Sequence, residues 1–64
     1  MMTIKEFTSV FTWQVVFEIW SVGYEQKNYG KFHMNTIPKE LWNKYIYLVE
    51  VNKDNGTVVI NFRF

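Results

Sequence analysis

Residues 44–64 contain the feature that most restricts the fold of this chain, a β-hairpin pattern. Two segments, 45–51 and 57–64, are rich in β-branched and aromatic residues, which favour the pleated surface of a sheet. The loop between them, residues 52–56, ends in Asn-Gly, a dipeptide typical of hairpin turns. The loop exceeds two residues, so the pattern favours a type I turn closed by Gly56, since glycine adopts positive φ without steric cost.

The length of 64 residues predicts a single domain that spans residues 1–64. A core of this size rarely supplies more than about 3–5 kcal/mol of stability. The chain has no cysteine, which excludes disulfide and thiolate–zinc crosslinks and fits a reducing, cytoplasmic setting. Aromatic residues make up 20% of the chain, more than so small a core should bury, so some rings are expected at an interface.

The net charge of +1 excludes a strongly acidic DNA mimic and gives no strong nucleic-acid signature. The apolar run at residues 10–20 contains Gln14 and Glu18 and is too short to span a membrane. A signal peptide would need a basic region followed by an uninterrupted apolar core, and the N-terminal residues lack both. We therefore expect no membrane association.

The first residues predict a short helix. Thr3 and Glu6 have the spacing of a capping box, in which each side chain bonds to the backbone of the other residue. Apolar residues follow at helical spacing from Ile4 to Phe11. The pattern predicts a helix over residues 4–11.

Residues 13–24 predict the first strand, because β-branched and aromatic residues dominate them. One face of this strand is wholly apolar and should pack on the helix: Trp13, Val15, Phe17 and Ile19. The opposite face is mixed and carries Trp20. The alternative is a helix that continues to Trp20, since apolar residues in this stretch also follow helical spacing.

The middle of the chain predicts a turn near residues 25–28 and a second strand over 29–34, which Gly30 and nearby charges place at a sheet edge. A connector follows, with a helical turn over residues 38–42 that begins after a capping Thr36, because proline suits the first helical position. Leu41 should lie under the sheet.

Together these elements predict an α+β domain in which a short N-terminal helix packs on a four-stranded antiparallel sheet, in the order α-β-β-β-β. The last strand alternates cleanly, so one of its faces should be buried: Val58, Ile60, Phe62 and Phe64. The helix covers one sheet face only. The other face would carry some of Trp20, Tyr45, Tyr47 and Val59.

No catalytic, metal-binding or cofactor-binding pattern is present, so we expect no enzyme, no cofactor and no metal site. His33 has no nucleophile or carboxylate beside it in the sequence and is interpreted as a solvated strand histidine. Ser9 and Ser21 lack the context of a nucleophile elbow, and the carboxylates are scattered.

Rings and lysines supply the candidate binding residues. The ring candidates for a protein partner are Trp20, Tyr24, Tyr29, Trp42, Tyr45 and Tyr47. The lysine candidates for nucleic-acid contacts, or for the rim of a protein interface, are Lys27, Lys31, Lys39 and Lys44. Interleaved rings and lysines suit a single-strand platform, but the same lysines also suit a strand edge protected against aggregation.

One pattern covers nearly the whole chain. It opens with residues 2–7, continues with a strand and a glycine-containing return, and ends with residues 37–41 and a closing hairpin. This pattern resembles small uncharacterised proteins of Gram-positive prophages and mobile elements, a class that includes anti-CRISPR inhibitors of host nucleases. The resemblance implies a protein that acts by binding. It assigns no functional residue, because the class shares no active-site motif.

The leading expectation is therefore a non-enzymatic, prophage-encoded inhibitor that binds a host defence nuclease or its ribonucleoprotein. One alternative is a small nucleic-acid-binding module that uses the lysine and ring candidates. Another is a homodimer whose exposed sheet face is its own interface.

Overall fold

The computed structural model describes residues 1–63, so the predicted end of the last strand at Phe64 lies outside the described residues. The chain forms two short helices, each followed by two strands, which makes this a small α+β protein. In chain order they are α1 (Ile4–Thr8), β1 (Phe17–Val22), β2 (Lys27–Phe32), α2 (Lys39–Trp42), β3 (Ile46–Val51) and β4 (Val58–Arg63).

The four strands form one mixed sheet in the order β2-β1-β4-β3. The β1–β2 and β3–β4 hairpins are antiparallel, but β1 and β4 are parallel neighbours at the centre of the sheet. The prediction of a wholly antiparallel sheet is therefore wrong. Parallel neighbours require a crossover connection, and residues 33–45, which include α2, provide it by returning the chain from one end of the sheet to the other.

The core lies between the helices and one face of the sheet. The parallel register aligns Phe17 with Val58 and Ile19 with Ile60, so the buried side chains of both central strands share that face. The predicted buried faces of the first and last strands are confirmed in these positions. The complete buried apolar cluster is Ile4, Phe17, Ile19, Ile37, Leu41, Val58, Ile60 and Phe62.

Helix α1 begins at the predicted capping box. The Thr3 N–H donates to Glu6 Oε1 at 2.9 Å, and the Glu6 N–H donates to Thr3 Oγ1 at 3.2 Å. The helix ends at Thr8, before the predicted residue 11. The Thr8 hydroxyl donates to the Ile4 carbonyl at 2.9 Å, and the Ser9 hydroxyl donates to the Glu6 carbonyl at 2.8 Å. Such hydroxyls compete for the backbone bonds that would extend a helix.

Residues 9–16 form neither a helix nor a strand, so the predicted strand start at Trp13 is wrong and the helix continuing to Trp20 is rejected. Trp13 is 65% exposed and takes no part in the core. Val15, which was predicted to share the apolar face of the strand with Trp13, is partly buried against the core. The Val58 N–H donates to the Val16 carbonyl at 2.9 Å, so pairing with the central strand of the sheet begins only there.

The middle of the chain follows its prediction with shifts of one or two residues. The β1–β2 turn lies at residues 23–26, and β2 is an edge strand as expected. Helix α2 follows Pro38, and Leu41 is buried as predicted. Thr36 does not cap α2, because its hydroxyl instead bonds the backbone N–H and C=O of His33.

The loop between β3 and β4 closes as the sequence predicts. Gly56 has a φ of +73°, and its N–H donates to the Asn52 carbonyl at 2.8 Å. The side chains of Asn52 and Asn55 accept backbone N–H groups within the same loop.

The N-terminal segment adds one contact that the sequence did not indicate. Residues 2–4 run antiparallel to residues 44–46 along the outer side of the sheet. The Ile46 N–H donates to the Met2 carbonyl and the Ile4 N–H donates to the Lys44 carbonyl, both at 3.0 Å. This pairing fixes the entry of the chain into α1.

We predict that Phe17→Ala lowers the free energy of unfolding by about 3–5 kcal/mol, because it leaves a cavity at the centre of the core. Phe17 is fully buried and contacts the ring of Phe11 edge-on at a centroid distance of 5.3 Å. Thermal unfolding followed by circular dichroism measures the change. Trp13→Ala, which removes a larger but exposed ring, is the control and should leave the melting temperature nearly unchanged. Equal effects of the two variants would contradict the assignment of the core.

We predict that Thr3→Ala lowers stability by about 0.5–2 kcal/mol near neutral pH, because it removes the N-cap. Hydrogen bonds from the Thr3 backbone and side chain hold the pKa of the Glu6 carboxyl below its ordinary value of 4.5. The part of the stabilisation that comes from the bond between the Thr3 hydroxyl and the Glu6 carboxylate is therefore present above pH 4.5 and is lost as acid protonates Glu6. The bond from the Glu6 N–H to Thr3 Oγ1 does not titrate and should persist in acid. Chemical denaturation over this pH range should show a stability difference that narrows in acid without vanishing, and equal stability of the two proteins near neutral pH would reject the capping box.

Candidate protein-interaction surface

The sheet face opposite the helices is a surface that the fold leaves uncovered. Both helices contribute to the core cluster on the other side, through Ile4 and Leu41. Within the described residues, no helix packs on this second face, which we call the open face. The strand registers place these side chains on it: Glu18, Trp20, Val22, Asn28, Lys31, Leu48, Glu50, Val59, Asn61 and Arg63.

Trp20 occupies the centre of the open face. The registers place it between Asn28 of β2 and Asn61 of β4, and Leu48 of β3 lies beyond Asn61 in the same row. Asn61 is buried, and its amide donates to the Leu48 carbonyl at 3.4 Å. A large ring therefore lies at the middle of the surface with polar amides on both sides.

Tyr47 and Arg63 form the end of the open face beside β3. The Arg63 guanidinium lies 4.4 Å from the centroid of the Tyr47 ring, a cation–π contact. A break in the register between Ile46 and Leu48 accommodates Tyr47 as an extra residue of β3. Its ring is 56% exposed. A pocket of about 270 Å³ adjoins this pair and is lined by Met1, Tyr45, Ile46, Tyr47 and Arg63.

Charges of both signs surround the apolar part of the open face. Glu18 lies opposite Lys31 across the β1–β2 pair, and the Asn28 amide donates to Glu18 Oε2 at 3.0 Å. Glu50 and Arg63 supply one further charge of each sign. The face is therefore electrically balanced, with Trp20 at its centre and the charged groups toward the ends of its strands.

The predicted ring candidates divide between several surfaces. Trp20 and Tyr47 lie on the open face, and Tyr45 is exposed beside Tyr47. Tyr24 is fully exposed in the turn between β1 and β2. Tyr29 instead packs on the core, with its ring 5.5 Å from that of Phe62.

Trp42, the remaining ring candidate, is partly buried against the core from the helical side. Its indole N–H donates to the Ile37 carbonyl at 2.9 Å. This bond and the packing give Trp42 a structural role that the sequence did not indicate.

The predicted lysine candidates do not form one group. Lys31 lies on the open face, whereas the other three lie against rings that pack on the core. The Lys27 ammonium is 4.8 Å from the Tyr29 centroid, and the Lys44 ammonium is 6.0 Å from the Phe62 centroid. Lys39 lies 5.9 Å from the centroid of Trp42.

Two residues that sequence analysis did not select contribute to these surfaces. Lys5 lies 4.2 Å from the centroid of Trp42, so it joins Lys39 at that ring although 34 positions separate them in the chain. Arg63 stacks on Tyr47 across the hairpin. Arg63 could have been assigned to the open face from the alternation of the last strand, whereas no local signal pairs Lys5 with Trp42.

His33 and Ser21, which the sequence analysis weighed for chemistry, both lie in partly or fully buried surroundings. His33 follows β2 and is half-buried, so its interpretation as a solvated strand histidine is wrong. Among residues 1–63, its Nδ1 is a buried atom without a hydrogen-bond partner. Ser21 is fully buried, and its hydroxyl donates to the Glu25 carbonyl at 3.3 Å. Within the described part of the chain, no cluster of three or more potential metal-ligating side chains is found.

Comparison with known proteins gave no relationship for this chain. No family model, no curated protein and no solved structure matches it. In the range from Met1 to Arg63, none of the helices has the length and apolar character needed to cross a membrane.

Proposed function

We propose that this protein is a non-enzymatic binding module that holds a protein partner on its open face. The observation that carries the proposal is the placement of Trp20 and the stacked Tyr47–Arg63 pair on one uncovered sheet face. Tryptophan, tyrosine and arginine are the residue types that most often contribute large shares of interface energy. The charged residues at the margins match the usual polar rim of such an interface.

The charge balance of the open face favours a protein partner over a nucleic acid on this surface. A nucleic-acid site needs an excess of cations, because phosphate neutralisation supplies most of the non-specific affinity. Lys31 and Arg63 are matched there by Glu18 and Glu50. Mixed charges instead favour orientation of a complementary protein surface.

A more specific form of this proposal is inhibition of a host defence nuclease or its ribonucleoprotein in the cytoplasm. This form of the proposal comes from the resemblance to small prophage proteins and is compatible with a sheet face that no helix covers within the described residues. Inhibition would then follow from occupation of a surface on the nuclease and would need no chemistry by this chain.

We predict that Trp20→Ala weakens partner binding by about 30-fold or more, because a central desolvated ring contributes at least about 2 kcal/mol. Tyr47→Ala should weaken it by a smaller factor, since Tyr47 lies at the end of the face. The measurement is capture of partners from a bacterial lysate with tagged protein, followed by titration calorimetry with each purified partner. Inhibition is tested by adding the protein to the captured partner's nuclease reaction.

Trp13→Ala is the matched control, because Trp13 is a second tryptophan, is 65% exposed and lies outside the sheet. It should leave binding unchanged. If Trp13→Ala and Trp20→Ala weaken binding equally, the open face is not the binding surface. A captured nuclease whose activity is unaffected would reject the inhibitor form while leaving the binding module intact.

The helical side favours a second candidate function, binding of single-stranded nucleic acid. Lys5 and Lys39 approach the same indole, so their ammonium groups are at most about 10 Å apart, the Debye length at 0.1 M salt. Two cations at that spacing reinforce each other toward a phosphate backbone. The candidate is weaker than the open face because Lys5 already lies against the ring of Trp42 on which a base would have to stack.

We predict little affinity for bare oligonucleotides, and a shallow dependence of that affinity on salt. If the lysines do bind phosphates, the log–log salt slope should be about −0.7 for each contact on a single strand. Fluorescence anisotropy with a labelled oligothymidylate at several salt concentrations measures the slope. The double variant Lys5→Gln/Lys39→Gln should flatten it, and Lys53→Gln, in the β3–β4 loop, is the control. Tight binding lost only in the double variant would place this function ahead of protein binding.

A further inference from the structure

The two edges of the sheet differ in how well they are protected against pairing with another strand. Edge strand β2 carries Lys27 and Lys31, and its register is broken where Tyr29 is inserted. Gly30 there has a φ of +111°, and its N–H donates to the Asn28 side chain at 2.8 Å. Lysines and bulges are the devices by which natural edges avoid pairing.

Edge strand β3 has little of this protection along residues 47–51. It contains no lysine, proline or glycine, and its single charged residue is Glu50. Leu48 is 49% exposed and Val51 is 61% exposed. Its one irregularity lies at the start, near Tyr47. The remainder is a short, apolar strand whose outer side faces solvent within the described residues.

The hydrogen bonds show which backbone groups of β3 point outward. The Asn52 N–H donates to the Thr57 carbonyl, so Asn52 faces β4. Backbone groups alternate along an antiparallel strand, so Glu50 also faces β4, while Val49 and Val51 direct their N–H and C=O groups away from the sheet. These are the groups that a further strand would meet.

At the start of β3, the outer side already pairs with another segment of the chain through a single β-bridge. Residues 2–4 pair there with residues 44–46, through the bond from the Ile46 N–H to the Met2 carbonyl. That pairing covers only the beginning of the edge. Residues 47–51 remain in line with it and without a neighbouring strand in the described part of the chain.

We propose that two copies of this chain associate through their β3 edges, in antiparallel pairing along residues 47–51. In the favoured register Val49 meets Val49 of the second copy at the two-fold axis, and Leu48 meets Glu50. The neighbouring register with Val49 against Val51 would set the two Glu50 carboxylates directly opposite each other, which is unfavourable.

Pairing of β3 with β3 is favoured over pairing of β3 with another edge, because it gives a closed dimer. The product is a continuous eight-stranded sheet, and both of its outer edges are copies of the lysine-bearing β2. A two-fold interface uses the same patch on both copies and leaves no free patch for further growth. Pairing β3 with β2 of the next molecule would instead produce a filament.

The pairing leaves both open faces uncovered and side by side. The dimer proposal therefore does not depend on the proposed function, and either proposal can fail without the other. The contact is short and below the usual size of a stable interface, so we expect a dissociation constant on the order of 10–100 µM.

The experiment is sedimentation velocity of the full chain over a range of concentrations. Wild type should show reversible dimerisation. Val51→Pro should be monomeric, because proline removes the outward N–H, a change that an edge strand tolerates on its solvent side. Val51→Thr keeps that N–H and a β-branched side chain, and should dimerise like wild type. Trp20→Ala should also dimerise, since Trp20 lies away from the edge on the open face.

Amide hydrogen exchange of the wild type provides an independent measurement if Val51→Pro fails to fold. The Val49 and Val51 amides should exchange about tenfold or more slowly at high than at low protein concentration. The Glu50 amide, which faces β4, should be equally protected at both and serves as the internal control.

Three outcomes would overturn the proposal. The first is a monomer at millimolar concentration. The second is a dimer that is lost in Trp20→Ala and retained in Val51→Pro, which would assign dimerisation to the open face. The third is exchange of the Val49 and Val51 amides that does not depend on protein concentration.

Discussion

The parallel pairing of β1 with β4 is the contact on which the rest of the structure depends. It aligns Phe17 with Val58 and Ile19 with Ile60, and so brings the most buried side chains of two distant segments onto one face. Because the two strands run in the same direction, the chain must cross the sheet between β2 and β3. That crossing contains α2, and α1 contacts α2. Both helices therefore occupy one side, and the placement of Trp20 and its neighbours on the other side follows from the direction of a single strand pair.

Local patterns predicted the local parts of this fold. The capping box, the hairpin loop closed by Gly56 and the burial of Leu41 each depend on residues close together in sequence, and each is found. The direction and order of the strands could not be predicted, because Phe17 and Val58 are separated by most of the chain and no turn residue specifies their pairing. The strand expected from Trp13 failed for a related reason. Its residues favour a strand, but pairing with the central strand begins only at Val16, and propensity without a partner does not form a sheet.

The types of residue on the candidate surface could be predicted from the sequence, but which individual residues lie on it could not. The sequence indicated spare rings with lysines near them, and grouped both by closeness along the chain. The alternation of strands, together with the irregularities at Tyr29 and Tyr47, distributes those residues over opposite sides of the sheet. Tyr29 and Trp42 became part of the packing, whereas Arg63 and Lys5 gained contacts with rings from distant segments. Which ring is free for a partner is therefore set by register, a property that composition does not reveal.

The central position of β4 also has a consequence for synthesis on the ribosome. Strands β1 and β2 are synthesised before β4, and the hydrophobic face of β1 has no lasting partner until then. A hairpin alone is at best marginally stable in water. We therefore expect little native structure in nascent chains and a single cooperative folding step once β4 is available, at a rate limited by closing the loop between β1 and β4. During that interval, cellular factors that bind unfolded chains would have access to Phe17 and Ile19.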